Sequence, residues 1–529
     1  MTSPSDDLSP LAPLRAPVFR MLWTAWLTAN ICMAMNDVAA AWKMTTLTTT
    51  PIWVALVQSA ATIPMLLLGL PSGALADILD RKVLLLFTQV WVATMSALLC
   101  AAMFLDLMTP PLLLALTLAN GIAMAVRWPA FAAIVPALVP RKQLPAALAL
   151  NGLATNISRI VGPLVAGALI AAVGTVWVFL LNAVMSVFAA ITISRWRQEK
   201  KVKQGPPEQL GTAIKAGWQF MRQSLQLQGV LLRVTLFFFH SSALLSLLTL
   251  LARRLEGGGA GTFTLLLASM GLGAVTGVGA VPALRQWMAR NRLVLLGSLV
   301  VATCMVLMAA IPLLAVAIPV MIVCGLAWLV TASTLSLSAQ LCLPNWVRAR
   351  GMSMQQMSLF GGNALGAAFW GAIATWTSVP IGLMLAAASL VICMFAATRW
   401  APDIDKILDM TQHEDILKPQ PETLPASRQV LVAIEYRIDP TRSADFRKLM
   451  QKESRASRLR LGAVSWDLVR DINLPGRFVE HIVDTSWEDY LRRYERLSVA
   501  DAQLHEHRKA FVLPGEPLRV TRYHVETHD

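Results

Sequence analysis

Residues 73–82 read GALADILDRK and join two apolar blocks at about 52–75 and 83–105. Each block is long enough to cross a bilayer, because a spanning helix needs about 20 apolar residues. The junction ends in acidic and basic residues, which the bilayer core excludes. The stretch therefore predicts two membrane-spanning helices that are joined by a short loop at one membrane surface.

Apolar blocks of this kind recur along a chain of 529 residues, of which 56% are hydrophobic and only 14% charged. A soluble domain carries about 25% charged residues, so this composition indicates a membrane protein. The sequence predicts an all-α polytopic membrane domain of twelve helices, followed by a small soluble domain. The predicted spans are 18–42, 52–75, 83–105, 112–135, 146–172, 175–194, 230–251, 261–283, 293–311, 315–338, 351–375 and 379–398.

The basic residues responsible for the net charge of +14 lie mainly in alternate connectors between these spans. The remaining connectors hold only Lys43, Arg253 and Arg254. Because cytoplasmic loops are enriched in Lys and Arg, both termini are predicted to lie in the cytoplasm. This distribution also argues against nucleic-acid binding as the reason for the positive charge.

The longest connector divides the predicted spans into six plus six, an organisation typical of alternating-access transporters. Within it, Leu210, Ile214, Trp218 and Met221 recur at helical spacing and predict an amphipathic helix on the membrane surface. The predicted parts are an N-terminal tail at 1–17, a first bundle at 18–194, the connector at 195–229, a second bundle at 230–400, a linker at 401–428 and a cytoplasmic domain at 429–529.

The last part is rich in Arg, Glu, Asp and His, and apolar residues alternate with polar ones over 430–437. This alternation indicates a half-buried strand. The later pattern predicts a helix at about 440–459, strands near 464–468 and 477–484, a helix near 490–497 and a strand near 517–524. The resulting β-α-β-β-α-β order is ferredoxin-like. The histidines of this domain have no recognisable ligand spacing, so we expect no metal ion and no cofactor.

Few ionisable residues fall inside the predicted spans. A charge near the centre of a spanning helix costs about 2.5–3.5 kcal/mol, so it persists mainly where it faces a cavity or a partner. The candidates for substrate binding or proton coupling are Arg159, Asp37 and Arg127. His240 is expected to be a packing histidine, and Arg233 is expected to extend toward the membrane surface.

Each candidate also has a purely structural interpretation. Arg159, near the middle of its span, either binds substrate or forms hydrogen bonds that hold the fold. Asp37 either takes up protons, or is solvated near the outer interface, five residues before Trp42. Arg127 either has a functional role or anchors one end of its helix.

The opening stretch resembles the loop motif G-x-L-A-D-r-x-G-R-K of the major facilitator superfamily. The residues expected to gate transport through it are Gly73, Asp77, Asp80, Arg81 and Lys82. Two positions depart from the motif, since Ile78 replaces a basic residue and Asp80 replaces a glycine. In the fifth span, Gly162, Pro163 and Gly167 resemble the antiporter motif G-P-x-x-G-G, which is associated with exporters, although small residues there also serve tight packing.

Further stretches are similar to one branch of this superfamily, the transmembrane secretion effectors, which are relatives of the enterobactin exporter. The similar stretches are 39–42, 47–48, 54–58, 138–141, 151–152, Arg159 with Gly162 and Pro163, and 346–351. This chain differs from the branch in its first span. Cys32, Met33 and Ala34 stand where the branch has a Gly-small-Trp run, and Asp37 is unusual.

The resemblance implies a bacterial inner-membrane protein that exports small amphipathic molecules, such as siderophores, drugs or metabolites, in exchange for protons. A proton-coupled importer of the same fold is the nearest alternative. The soluble domain resembles dimeric ferredoxin-like modules related to cofactor-free monooxygenases, which implies regulation or self-association. Catalysis by this domain, with the spans serving only as a tether, is the alternative from a different class.

Overall fold

The computed structural model describes residues 11–78, 80–140, 143–196, 210–255, 258–344, 346–405 and 429–524. The parts of the predicted connector at 197–209 and of the predicted linker at 406–428 lie outside the described residues. The side chains of Gly73 and Asp77 also lie outside the described part, although both residues belong to a helix.

All twelve predicted spans form helices. The first bundle consists of α1 (Pro17–Leu47), α2 (Pro51–Ile78), α3 (Arg81–Phe104), α4 (Pro110–Leu138), α5 (Leu144–Ala172) and α6 (Thr175–Ser194). After α7 (Leu210–Gln223), the second consists of α8 (Leu225–Arg254), α9 (Ala260–Trp287), α10 (Arg290–Ala310), α11 (Leu314–Leu341), α12 (Arg348–Trp376) and α13 (Val379–Trp400).

Eleven of these helices, α2–α6 and α8–α13, are long and apolar enough to cross a membrane. Helix α1 has the length, with 31 residues, but a more polar sequence. Part of that polarity is buried, because Asn36 accepts a hydrogen bond of 3.3 Å from Asn182 of α6. Polar residues that face neighbouring helices rather than lipid thus account for part of the lower hydropathy of α1.

The two bundles repeat the same helix contacts. In the first, a Cβ on Gly162 of α5 would lie 2.5 Å from the Cβ of Ala34 in α1. In the second, a Cβ on Gly362 of α12 would lie 2.9 Å from the carbonyl oxygen of Thr235 in α8. Likewise, α3 packs on α6 and α10 packs on α13. Since α1 and α5 occupy the same positions in their bundle as α8 and α12, the six-plus-six division predicted from the sequence is a structural repeat.

A basic side chain binds the C-terminal end of the last helix in each bundle. Lys82, at the start of α3, donates to the carbonyl oxygens of Ser194 and Trp196 at 2.8 and 2.6 Å, at the end of α6. Arg233 of α8 donates to the carbonyl oxygen of Ala397 in α13 at 2.8 Å. The side chain of Arg233 is fully buried and reaches the last turn of α13, so it finds its acceptor between helices.

The chain divides into two compact units. The first unit holds most of both bundles, at 1–205, 231–336 and 353–401. The second unit holds 206–230, 337–352 and 402–529, and thus combines α7, the loop between α11 and α12, and the C-terminal domain.

Helix α7 has apolar side chains on two sides. Phe220 is buried within the second unit, where its ring meets the edge of Trp346 at 5.8 Å. Gln219 donates to the carbonyl oxygen of Ala463 at 2.5 Å, next to the helix of the C-terminal domain that packs on α7. Trp218, which the sequence places on the apolar stripe, remains 57% exposed. The sequence predicted the helix but not its protein-facing side, because Phe220 is outside the predicted stripe.

The C-terminal domain has the predicted ferredoxin-like order. Its elements are β1 (Val430–Arg437), α14 (Ser443–Leu449) and α15 (Arg455–Leu461) joined by a π-helical turn, β2 (Ser465–Arg470), β3 (Arg477–Asp484), α16 (Trp487–Glu495), α17 (Val499–Lys509) and β4 (Arg519–His524). The strands form one antiparallel sheet in the order β2-β3-β1-β4. The buried side chains of β1 alternate as predicted and include Val430 and Tyr436, which join the core beneath the helices.

Candidate functional site

Arg159 lies where the two bundles meet. Its guanidinium carbon is 5.3 Å from the ring centroid of Trp328, so a cation of α5 rests on an aromatic face of α11. The arginine side chain is exposed rather than enclosed in the core of its own bundle. A cation and an aromatic ring at this contact form a surface that an amphipathic molecule with an anionic group can use.

Asp37 lies on the neighbouring helix. Helices α1 and α5 run in the same direction, since Trp23 donates to the carbonyl oxygen of Leu150 and Ala34 approaches Gly162 further along both helices. Arg159 precedes that approach by one helical turn, and Asp37 follows it by one. At 1.5 Å per residue, their backbone positions are offset by about 9 Å along the helix axis.

Asp37 is exposed and forms no ion pair within the described part of the chain. Its neighbours along α1, Asn36 and Val38, are buried. Asp37 thus differs from the buried acids of the C-terminal domain, each of which is held by an arginine.

Arg127 occupies a different place, inside the first bundle. It is 3% exposed, and its guanidinium carbon lies 5.6 Å from the ring centroid of Trp26. Its Nη2 donates to the sulfur of Met124 at 2.9 Å. The side chain is therefore part of the bundle core, which differs from the expectation of an anchor at the helix end.

Next to Arg127 is a small cavity lined by residues of α1, α3, α4 and α6. Three buried polar atoms on residues that line it have no hydrogen-bond partner, namely Nε of Arg127, Nε1 of Trp26 and Oε1 of Gln89. The cavity has about the size that a single water molecule needs. It is too small for an amphipathic substrate, so Arg127 and Arg159 belong to separate polar sites.

The loop of the opening stretch has a structural explanation for one departure from its motif. Asp80 caps the N-terminus of α3, where its Oδ1 accepts from the backbone amide of Lys82 at 2.8 Å. An acidic side chain is favoured at this position because it satisfies a free amide and complements the helix dipole. Arg81 begins the helix, and Lys82 binds the end of α6 as described above.

The motif residues of α5 serve close approach to two different helices. Gly162 faces Ala34 of α1, within its own bundle. Gly167 faces Thr264 of α9, in the other bundle, where a Cβ would collide with the threonine side chain. Helix α5 continues through Pro163 without a break. The two glycines therefore bring α5 close to both bundles at once.

Aromatic and polar contacts also join the bundles at the end opposite the start of α1. Trp42 stacks on Phe263 with 6.4 Å between ring centroids, and the guanidinium carbon of Arg253 lies 4.9 Å from the Trp42 ring. The hydroxyl of Thr375 accepts a hydrogen bond of 2.9 Å from the backbone amide of Ile52. These contacts hold α1 and α2 against α8, α9 and α12 at that end of the bundles.

Trp328, Trp26 and Gln89 did not emerge as candidates from the sequence. Tryptophans are common in membrane helices, so only the nearby arginines distinguish Trp26 and Trp328 from the others. A glutamine in the otherwise apolar third span was a usable signal for Gln89. His240 is buried and its Nδ1 lies 2.7 Å from the carbonyl oxygen of Leu236, which agrees with a packing histidine. Within the described residues no cluster of metal-binding side chains occurs.

Comparison with known proteins supports a transporter fold. The family described as transmembrane secretion effector matches residues 8–528. A bacterial homologue of the human lysosomal transporter Spinster, solved in an inward-facing and unoccupied conformation, has a TM-score of 0.58 at 15% identity, covering 74% of this chain and 99% of that one.

Two other solved structures are similar to the same extent. A POT family transporter in complex with 5-aminolevulinic acid has a TM-score of 0.63 at 12% identity, covering 74% of this chain and 97% of that one. The E. coli fucose:proton symporter FucP has a TM-score of 0.52 at 14% identity, covering 73% and 98%. No curated protein sequence matches the chain. At these identities the structural likeness establishes the fold alone.

Proposed function

The chain belongs to the transmembrane secretion effector family, and from this premise we propose that it is a proton-coupled exporter of small amphipathic molecules. It is a multi-pass membrane protein of the major facilitator kind, with transporters as its structural neighbours. The proposal adds the direction, the coupling ion and the substrate class. It also places both termini in the cytoplasm of a bacterium, since the basic connectors lie on that side.

The observation that carries the proposal is the contact between Arg159 and Trp328. Each residue belongs to a different bundle, so a rocking motion of the bundles separates or re-forms the contact. A substrate with an anionic group and an apolar body can replace Trp328 as the partner of Arg159. Binding is then linked to the arrangement of the bundles, as alternating access requires.

Asp37 is the proposed proton carrier. A charged carboxylate among membrane helices is costly. Proton uptake by Asp37 therefore lowers the cost of enclosing this side chain in apolar surroundings when the bundles change their arrangement. Its separation from Arg159 by about two helical turns allows substrate and proton to occupy different sites at the same time. Arg127 is assigned a positioning role inside the first bundle, because its side chain is buried beside a cavity with room for about one water molecule.

Transport by the purified protein in liposomes tests this assignment. The vesicles contain a pH-sensitive dye, and a carboxylated fluorescent amphiphile is placed on one side at a time under an imposed pH gradient. Coupled movement of amphiphile and protons is expected for the wild type and for Arg159→Lys at a reduced rate. Arg159→Gln and Asp37→Asn are expected to lose coupled flux, whereas Arg399→Gln, a change at the exposed end of α13, is the matched control.

Three results distinguish the alternatives. Unchanged flux in both Arg159→Gln and Asp37→Asn would show that the site is elsewhere. Accumulation on the side that carries the C-terminal domain, measured by protease access to that domain, would indicate an importer. Loss of every activity in a chain lacking residues 420–529, together with enzymatic turnover by the intact chain, would favour the membrane-tethered enzyme.

A further inference from the structure

The core of the C-terminal domain contains more cations than anions. Among the described residues of this domain the buried charged side chains are four arginines and three acids: Arg458, Arg460, Arg493, Arg508, Glu480, Asp484 and Asp501. A buried charge without a counter-charge is strongly unfavourable, so the identity of the unpaired arginine matters.

Three of the arginines have their own carboxylates. Arg458 donates to both oxygens of Glu480, at 3.1 and 3.3 Å. Arg460 donates to Asp501 at 2.7 Å. In the third pair, Arg493 donates to both oxygens of Asp484, at 2.8 to 3.2 Å. The remaining arginine is Arg508, on α17, which feels the charges of Glu480 and Asp501 but forms no direct ion pair among the described residues.

The carboxylates nearest to Arg508 have no acceptor position left for it. Besides the two bonds from Arg458, Glu480 accepts from the indole of Trp466 at 2.8 Å and from the hydroxyl of Tyr436 at 2.9 Å. Asp501 also accepts four hydrogen bonds, from Arg460, the hydroxyls of Ser457 and Ser498, and the amide of Ser498. A carboxylate offers about four acceptor sites, so both groups are saturated.

Arg508 is 2% exposed, and neither its Nε nor its Nη1 has a hydrogen-bond partner. Other buried donors of the described domain are also unused, the hydroxyls of Ser443 and Ser454 and the indole nitrogen of Trp487, but none of them carries a charge. Buried polar groups in native proteins nearly always have a protein, water or ion partner. Glu480 and Asp501 can accept no further hydrogen bond, and the guanidinium of Arg508 has unused donors. One additional negative charge beside Arg508 would therefore be favourable.

We propose that Arg508 anchors a binding site for a small oxyanion, a carboxylate or a phosphate group, in the core of the C-terminal domain. A guanidinium is the side chain best suited to such groups. The half-buried His505 lies one turn before Arg508 on the same side of α17, at the border between this core and solvent. Burial, followed by the charges of Arg508 and Lys509, lowers the pKa of His505 to about 4. At neutral pH, His505 is therefore an uncharged neighbour that does not compete with Arg508 for the anion.

Amide hydrogen exchange of the purified full-length protein tests the site. Acetate and inorganic phosphate are each titrated against chloride at constant ionic strength, and exchange is followed in α17 and β3. A ligand that binds only the folded domain slows exchange by a factor of one plus its concentration over its Kd, which is about tenfold at ten times the Kd. The anion with the lower half-saturation concentration distinguishes a carboxylate site from a phosphate site.

Two matched variants separate binding from general stabilisation. Arg508→Met is expected to abolish the response and to exchange no faster than wild type without added anion, because it removes an unpaired charge. Arg492→Met, on the partly exposed surface of α16, is expected to respond like the wild type. The proposal is overturned if neither anion slows exchange in the wild type, or if Arg508→Met responds equally. Exchange that is about a hundredfold faster in Arg508→Met without anion would also overturn it, since that result identifies a paired structural arginine.

Discussion

Replacing Gly162 by alanine is expected to destabilise the first bundle, although alanine is the better helix former. The new Cβ would lie 2.5 Å from the Cβ of Ala34, far inside van der Waals contact, and 3.1 Å from the carbonyl oxygen of Ile31, which is tight by a few tenths of an ångström. The first neighbour is part of a rigid helix, so α1 and α5 must move apart. Overpacking of this kind costs about 1–3 kcal/mol.

The same helix provides the matched control. Nothing lies within 4 Å of a Cβ on Gly152, which is exposed on α5. Gly152→Ala is therefore expected to gain up to about 1 kcal/mol from helix propensity alone. Because both substitutions gain the same helix propensity, the two variants should differ by the overpacking cost alone, about 1–3 kcal/mol, with Gly152→Ala the more stable.

Thermal unfolding of the purified variants in one detergent measures the difference as a change in apparent Tm. A rescue variant makes the test specific, because Ala34→Gly removes the atom with which the new methyl group collides. The double variant should be more stable than Gly162→Ala, even though glycine costs about 1 kcal/mol in a helix. The reasoning fails if Gly162→Ala melts at or above Gly152→Ala, or if the second change only adds to the loss.

Three further changes have expected outcomes. Glu480→Gln should cost the C-terminal domain about 3 kcal/mol at pH 7, because burial opposes ionisation of this carboxyl and yet the charges of Arg458 and Arg508 hold its pKa at about 2. Because the folded-state pKa is the lower one, hydrogen exchange should show this difference above pH 4.5 and lose it as the pH falls toward 2. Trp328→Leu should slow transport about tenfold, with Trp328→Phe intermediate, because the cation–π contact with Arg159 is lost; equal rates in liposomes would argue against the contact. Asp80→Ala should lower stability by about 1 kcal/mol, with Asp80→Ser close to wild type in melting experiments, since serine restores the cap.

The helices and strands of this protein could be predicted where the hydrophobic pattern of consecutive residues determines them. The strand Arg477–Asp484 has the predicted bounds, because alternation with a period of two identifies a half-buried strand directly. The ferredoxin-like order follows from the sequence of such local signals. The two-bundle division could likewise be read from the spacing of apolar blocks.

The environment of each charged residue could not be predicted in the same way. The sequence places both Arg127 and Arg159 inside predicted spans, yet one is buried in a bundle and the other lies against Trp328. Helix rotation decides between these outcomes, and an almost uniformly apolar helix gives little information about its rotation. The burial of Arg233 became visible only in three dimensions for the same reason, whereas the protein-facing side of α7 was missed because Phe220 is outside its predicted apolar stripe.

Lys82 and Arg233, which bind the ends of α6 and α13, affect which helices move together during a transport cycle. Withdrawing Lys82 or Arg233 would remove a donor from carbonyl oxygens at the negative end of a helix, and the acceptor of Arg233 is buried. Each bundle is therefore expected to move as a rigid body that includes its last helix. The conformational change is then expected to take place at the interface between the two bundles. Small residues such as Gly167 allow the helices there to slide past each other with few hydrogen bonds to break.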